Sequence, residues 1–83
     1  MSKARRFSLL SRPGCHLCEE LLAALGAVPA AAGLPVDVRD VDADPALRAR
    51  YGHKIPVLLL DGELVCHGRL DLEEVHKALA TPR

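Results

Sequence analysis

Residues 6–18 read Arg6-Phe7-Ser8-Leu9-Leu10-Ser11-Arg12-Pro13-Gly14-Cys15-His16-Leu17-Cys18. Arg6 to Ser11 has the pattern of a short strand, with Phe7 and Leu9 on one face and Leu10 on the other. Pro13-Gly14 stops it, because proline lacks the ladder donor and glycine opens backbone angles closed to other residues. A helix is predicted from about His16. Leu17, Leu21, Leu25 and Val28 recur at helical spacing with Leu22 beside them, and Ala23, Ala24 and Ala27 favour the same state. Gly26 weakens the helix, Pro29 ends or kinks it near its last turn, and Gly33 punctuates the loop beyond.

The pattern extends to the end of the chain. Pro35 to Val41 is a predicted strand, Val36 and Val38 alternating with Asp37 and Arg39. Asp44-Pro45 starts a short helix, aspartate as the cap and proline at the first helical position. It runs through about Tyr51, and Gly52 falls where a left-handed cap is expected. Pro56 to Leu60 is continuously apolar, the mark of a strand buried on both faces. Asp61-Gly62 is a two-residue hairpin turn needing positive φ, and Glu63 to His67 is the returning strand. Asp71, with Glu74 three residues on, opens a last helix whose apolar stripe is Leu72, Val75 and Leu79. The order is β-α-β-α-β-β-α. The expected fold class is α/β: the first two strands parallel through a right-handed crossover, the last two an antiparallel hairpin, and a four-stranded mixed sheet covered by helices. Residues 1–83 are expected to form a single domain without a linker.

Composition narrows the function classes. Apolar residues make up 49% of the 83 and charged residues 27%, a globular balance. With no Trp, one Phe and one Tyr, the core must be aliphatic. Eleven basic residues match eleven acidic ones, which removes any general attraction for nucleic acid or anionic membrane. No apolar run reaches the roughly 20 residues that span a bilayer. The basic stretch Met1 to Arg6 is not followed by the apolar segment of a signal peptide, so a cytoplasmic location is expected. Lys3, Arg5 and Arg6 are expected to form a solvated tail. Three cysteines can close at most one intramolecular disulfide, too few for a disulfide scaffold.

Cys15-His16-Leu17-Cys18 carries the chemistry. A dithiol at this spacing closes a small disulfide with little backbone movement. Cys15 lies at the helix start, where free N–H groups and the macrodipole favour an anion. A thiolate there is expected to have a pKa below the ~8.5 of a free cysteine. His16 and Arg12 add positive charge nearby. Cys18, one turn inside the helix, is expected to be less exposed, so Cys15 attacks and Cys18 resolves the mixed disulfide. A Cys-x-x-Cys beside a βαβ pattern is a redox signature.

Two other readings use the same residues. Cysteines three apart on a helix can be plain core residues, against which the strand–turn–helix setting argues. They can also be half of a metal site, which wants four ligands. Cys66-His67 would complete a Cys₃His set, but adjacent strand residues point to opposite faces. The alternative that stays open is a zinc or iron–sulfur module held through Cys15, shared between two chains. Ile55-Pro56 is a second element of interest: proline at the start of a buried strand is tolerated where its missing donor does not matter, or where the bond is cis.

These residues together resemble the glutaredoxin-like proteins of the thioredoxin superfamily over nearly the whole chain. The likeness rests on Pro13-Gly14-Cys15-His16-Leu17-Cys18, Lys54-Ile55-Pro56, the Asp61-Gly62 hairpin and Gly68-Arg69-Leu70-Asp71. It implies a thioredoxin-like fold, Cys15 as nucleophile, Cys18 as resolving thiol, and a cis-Pro56 facing the pair, with Ile55 offering backbone groups to a thiol substrate. The chain has His16-Leu17 where glutaredoxins usually have Pro-Tyr, Lys54-Ile55-Pro56 where they have Thr-Val-Pro, and His67-Gly68 where they have Gly-Gly. Arg12, Lys54 and Arg69 are the cations available to glutathione carboxylates, with His16, Gly68 and Asp71 completing the expected substrate surface.

The reading is therefore a monomeric thiol–disulfide oxidoreductase that reduces protein disulfides or glutathione mixed disulfides. No tightly bound cofactor or metal is expected, with glutathione as possible co-substrate. Cys66 is read as a buried small hydrophobe. His67 is either a surface residue or close to the site. His53 and His76 are read as surface residues, and Asp37, Asp40, Asp42 and Asp44 as a solvated edge plus the Asp44 cap.

Overall fold

The computed structural model describes residues 5–81. The elements in chain order are β1 (Phe7–Ser11), α1 (His16–Gly26), a 3₁₀ turn (Pro29–Ala31), β2 (Val36–Asp40), a second 3₁₀ turn (Val41–Ala43), α2 (Pro45–Tyr51), β3 (Val57–Leu60), β4 (Glu63–His67) and α3 (Leu72–Ala80). The sheet has four strands in the order β2-β1-β3-β4. β1 and β2 are parallel, and the β1–β3 and β3–β4 pairs are antiparallel. This is the α/β fold and the topology expected from the sequence.

Turn and cap chemistry sets most of these boundaries. Asp44 accepts from the N–H groups of Ala46 and Leu47, with Pro45 in the first turn. Asp71 accepts from the Glu74 N–H at 3.2 Å. Asp61 and Gly62 both have positive φ, 52° and 88°, the signs that a two-residue hairpin turn requires.

Alternation divides the core between the two sheet faces. Phe7, Leu9, Leu58 and Leu60 face Leu21 and Leu25 of α1 and Val75 of α3. Leu10, Val57 and Leu59 face the opposite way, against Val41 and with Leu47, Tyr51 and Ile55 packed on them. β1 and β3 are thus buried on both sides, and each fully buried aliphatic or aromatic side chain contributes about 1.5–3 kcal/mol. No buried polar or charged residue interrupts the core among the described residues.

β4 departs from regular alternation. Its register against β3 shifts between Leu58 and Leu59, Leu58 opposing Cys66 while Leu59 opposes Leu64. Val65 is the extra residue of a bulge, so Val65 and Cys66 both turn into the core on the face covered by α1 and α3.

Several expectations are corrected. The stripe of α1 is Cys18, Leu21 and Leu25, not one beginning at Leu17, which is 53% exposed. Leu72 is likewise exposed, leaving Val75 as the buried residue of α3. Val38 is exposed because β2 is an edge strand. Gly52 keeps right-handed helical angles. Glycine is needed there for space, since a Cβ would sit 2.5 Å from the Arg48 carbonyl oxygen.

Arg5 and Arg6 do not form a solvated tail, while Lys3 lies outside the described residues. Arg5 donates Nε to Asp61 at 2.9 Å and its Nη groups to the carbonyls of Ala78, Leu79 and Thr81 at the end of α3. Asp61 also accepts from the Arg6 N–H. One arginine thereby joins the start of β1, the β3–β4 turn and the last turn of α3. Arg6 itself pairs with Asp37 at 3.3 Å.

Candidate active site

One end of the sheet collects the site. The Ser11–Asp40 and Leu10–Val57 pairs bring together the ends of β1 and β2 and the start of β3, and the Val57–His67 pair adds the end of β4. The segments beyond these pairs carry Arg12 to Cys18, Asp42, Lys54 to Pro56, and Gly68 to Asp71.

Arg12 to Cys15 form a tight turn in which the Cys15 N–H donates to the Arg12 carbonyl at 3.0 Å. Pro13 and Gly14 occupy its centre, and the φ of +81° at Gly14 is one that glycine adopts without strain. The turn delivers Cys15 to the N-cap of α1 with extended backbone angles. Its Sγ accepts from the Cys18 N–H at 3.2 Å. Sulfur here does the work that Oδ1 does at Asp44 and Asp71.

Cys15 and Cys18 are joined in a disulfide, with Cα atoms 5.2 Å apart, inside the usual range for a bridged pair. Cys15 is half-buried and Cys18 only 3% exposed. An incoming thiol can therefore meet one sulfur and not the other.

The Ile55–Pro56 peptide bond is cis. Pro56 is buried, and its carbonyl accepts from the Gly68 N–H at 2.8 Å. Gly68 has a φ of +83°, so glycine is needed to make that link between the end of β4 and the start of β3. A shallow groove of about 200 Å³ runs beside it, lined by Leu17, Glu20, Leu21, Gly68, Arg69 and Leu70. The exposure of Leu17 thus gives one wall of a groove next to the cysteine pair.

The remaining site candidates separate into two groups. Arg12 is engaged: Nε and Nη2 donate to the two Asp42 oxygens at 2.6 and 2.9 Å. The hydrogen bond holds the Asp42 carboxyl below its ordinary pKa and the Arg12 guanidinium above its own. Lys54 and Arg69 are exposed and form no ion pair among the described residues. His16 is exposed, with Nδ1 3.9 Å from Glu19 Oε2. Asp71 caps α3. Asp42 is the functional candidate that sequence reasoning missed, having been placed on a solvated edge. Its partner lies 30 residues away, and only the parallel β1–β2 register brings the two together.

Cys66 is a buried free thiol. Burial pushes its pKa up, with the negative charges of Asp71 and Glu74 acting the same way and a hydrogen bond from the Asp71 backbone opposing them. His67 is exposed. No group of three or more His, Cys, Asp or Glu side chains among the described residues is arranged to hold a metal ion. No helix there is long and apolar enough to cross a membrane.

Residues 6–80 match the family model described as glutaredoxin-like domain (DUF836). The chain belongs to this glutaredoxin-like family. A Mycobacterium tuberculosis protein described only as uncharacterized is 31% identical over 77 residues, covering 87% of this chain and 79% of its own. A Mycobacterium bovis protein, also described as uncharacterized, matches to the same extent. A Nitrosomonas europaea protein solved by solution NMR superposes with a TM-score of 0.83 at 28% identity, over 96% of each chain. An X. campestris protein solved by X-ray crystallography gives a TM-score of 0.69 at 32% identity, over 92% of this chain and 99% of its own. The glutaredoxin-like fold with its adjacent Cys15–Cys18 pair fits a redox role.

Proposed function

We propose that this glutaredoxin-like protein is a thiol–disulfide oxidoreductase, acting as a cytoplasmic monomer on protein disulfides or glutathione mixed disulfides. The observation that carries the reading is the asymmetry of the pair: Cys15 half-buried at the N-cap of α1, Cys18 buried behind it and within bonding reach. In the dithiol form the Cys15 thiolate attacks one sulfur of the substrate disulfide. The substrate S–S bond breaks, a mixed disulfide forms, and the first thiolate leaves and takes a proton. Cys18, deprotonated, then attacks Cys15 Sγ. The second substrate thiol is released and the Cys15–Cys18 bond closes, so two electrons have passed from protein to substrate. Two thiols of an external reductant, glutathione or a reductase dithiol, restore the starting state.

The N-cap position supports the roles. The unpaired N–H groups of the first turn and the helix macrodipole stabilise a thiolate on Cys15 and not one on Cys18. The Ile55 and Pro56 backbone, and Lys54 and Arg69 at the same end of the sheet, are the proposed substrate surface.

The test is a redox titration in glutathione buffers of graded ratio, followed by alkylation, intact mass and peptide mapping. A reversible Cys15–Cys18 bridge is expected, with a midpoint inside the roughly −270 to −120 mV spanned by known dithiol proteins. Cys15→Ser is expected to abolish turnover and Cys18→Ser to trap a mixed disulfide on Cys15. A pair that stays reduced throughout, or a metal or iron–sulfur cluster that blocks alkylation in protein purified without oxygen, replaces this reading with the binding module.

A further inference from the structure

Arg12 begins the turn that presents Cys15, its carbonyl receiving the Cys15 N–H at 3.0 Å. A guanidinium there is well placed to meet the carboxylate of an anionic thiol substrate, since planar donors pair with carboxylates in a two-point fork. In this chain the side-on fork of Nε and Nη2 is already occupied. Asp42 takes both Nε and Nη2, at 2.6 and 2.9 Å. The Asp42 N–H in turn donates to Asp40 Oδ1 at 2.9 Å, which fixes the loop that holds the carboxylate. Asp40 adds to the negative charge facing Arg12, and Arg48 to the positive charge facing Asp42. The result is a neutral cluster of two acids and two bases where a lone arginine would have drawn anions. Lys54 and Arg69, the other cations of this end, have no such partner among the described residues.

We propose that Asp42 is a specificity-determining residue: by occupying Arg12 it weakens capture of anionic thiols such as glutathione, and biases Cys15 toward disulfides that carry no carboxylate near the sulfur. The inference rests on the oxidoreductase reading above and deepens it by naming a preferred substrate class. The chemistry is the same for either class. Cys15 Sγ bonds to one sulfur of the disulfide, whose other half leaves as a thiolate, and Cys18 displaces the second half. Only the binding that precedes the attack differs. An incoming carboxylate must displace Asp42 from the Nε–Nη2 fork, or take the Nη1–Nη2 edge of a guanidinium whose charge Asp42 already offsets. Asp42 acts through Arg12, so it is a positioning residue and not a catalytic one.

The experiment oxidises the reduced protein, in separate reactions, with glutathione disulfide and with bis(2-hydroxyethyl) disulfide, an uncharged reagent of the same reactivity class. The second-order rate for loss of alkylatable Cys15 is read by mass, and the quantity of interest is the ratio of the two rates. Asp42→Asn is expected to raise the glutathione-to-neutral ratio by about 2- to 5-fold, the scale on which an exposed ion pair competes. The gain should shrink as salt is raised through the range where exposed charges are screened. Asp42→Glu, which keeps a carboxylate for Arg12, should stay at the wild-type ratio, and the Arg12→Ala, Asp42→Asn double variant should lose the gain. An unchanged ratio in Asp42→Asn, or a gain that persists without Arg12, overturns the proposal and leaves the oxidoreductase reading standing. Wild-type protein that reacts with neither disulfide overturns both.

Discussion

Cys15 has two jobs in this structure, and they can be separated. It is the proposed nucleophile, and it is also the N-cap of α1, with extended backbone angles and its Sγ accepting from the Cys18 N–H at 3.2 Å. Serine keeps the cap and alanine removes it, and neither can form the disulfide. In reduced protein, Cys15→Ala leaves the Cys18 N–H without its acceptor. Loss of an N-cap costs about 0.5–2 kcal/mol, typically about 1. That range is for oxygen caps, and sulfur is a weaker acceptor than oxygen, so the cost for Cys15→Ala should fall in its lower half. For a domain of this size 1 kcal/mol corresponds to roughly 4–8 °C in Tm, out of a total stability of only a few kcal/mol. The assay is urea and thermal unfolding followed by far-UV circular dichroism, with excess reductant throughout, on wild type, Cys15→Ser and Cys15→Ala. Wild type and Cys15→Ser should unfold close together and Cys15→Ala clearly earlier, at an unchanged m-value. Coincident midpoints for the serine and alanine variants would refute the capping argument, whatever the two proteins do as catalysts.

Three further outcomes are expected. Leu58→Ala, at a fully buried position in the core packed against α1 and α3, should cost about 2–5 kcal/mol; an unfolding free energy from urea within about 1 kcal/mol of wild type would contradict the packing described. Asp61→Asn keeps a residue tolerant of positive φ but loses the charge held by Arg5, and is expected to cost about 1.5–3 kcal/mol, measured the same way; the loss should shrink when Arg5→Ala is already present, the Arg6 N–H remaining as a partner. Burial keeps the Cys66 thiol protonated in the folded chain beyond the ~8.5 of a free cysteine, while the unfolded chain ionises near that pH. Its contribution is complete below that pH and declines above it until the folded thiol also ionises, by at most about 1.4 kcal/mol per pH unit. Oxidised wild type should therefore lose stability relative to Cys66→Val between neutral pH and pH 10, as urea titrations at both values will show.

The parts of the fold legible in the sequence were those set by local chemistry. Asp44-Pro45, Asp61-Gly62 and Asp71 each act within three residues of themselves, and each produced the cap or turn expected. The apolar run before Asp61 became the doubly buried β3 because continuous hydrophobicity has no other use in so short a segment. The failures lie where the outcome depends on something distant. Leu21 and Leu25 fit a stripe with either Leu17 or Cys18, and which of the two faces the sheet depends on where α1 sits over β1. The bulge at Val65 leaves no local signal, because Leu64, Val65 and Cys66 are all acceptable strand residues. Arg5 and Arg12 look like ordinary surface cations until the fold brings Asp61 and Asp42 to them. At the candidate site, Cys15 and Cys18 were legible from spacing and setting. The Asp42 contact was not, since it depends on the pairing of β1 with β2.

The bulge in β4 has a consequence for how copies of the chain behave toward one another. β2 and β4 are the two open edges of the sheet, and each shows an exposed apolar side chain, Val38 and Leu64. The formal net charge is zero, so no long-range repulsion keeps molecules apart in concentrated solution. Protection against edge-to-edge aggregation must then be local. On β2 it comes from Asp37, Arg39 and Asp40, which make a second strand costly to add. On β4 it comes from Val65, whose extra residue kinks the strand and spoils the straight row of donors and acceptors that another copy would need. Deleting Val65 would leave the pairing of Cys66 with Leu58 and of His67 with Val57 intact and restore a regular ladder, and with it a flat outer edge. The residue whose side chain fills the core thus guards that edge with its backbone.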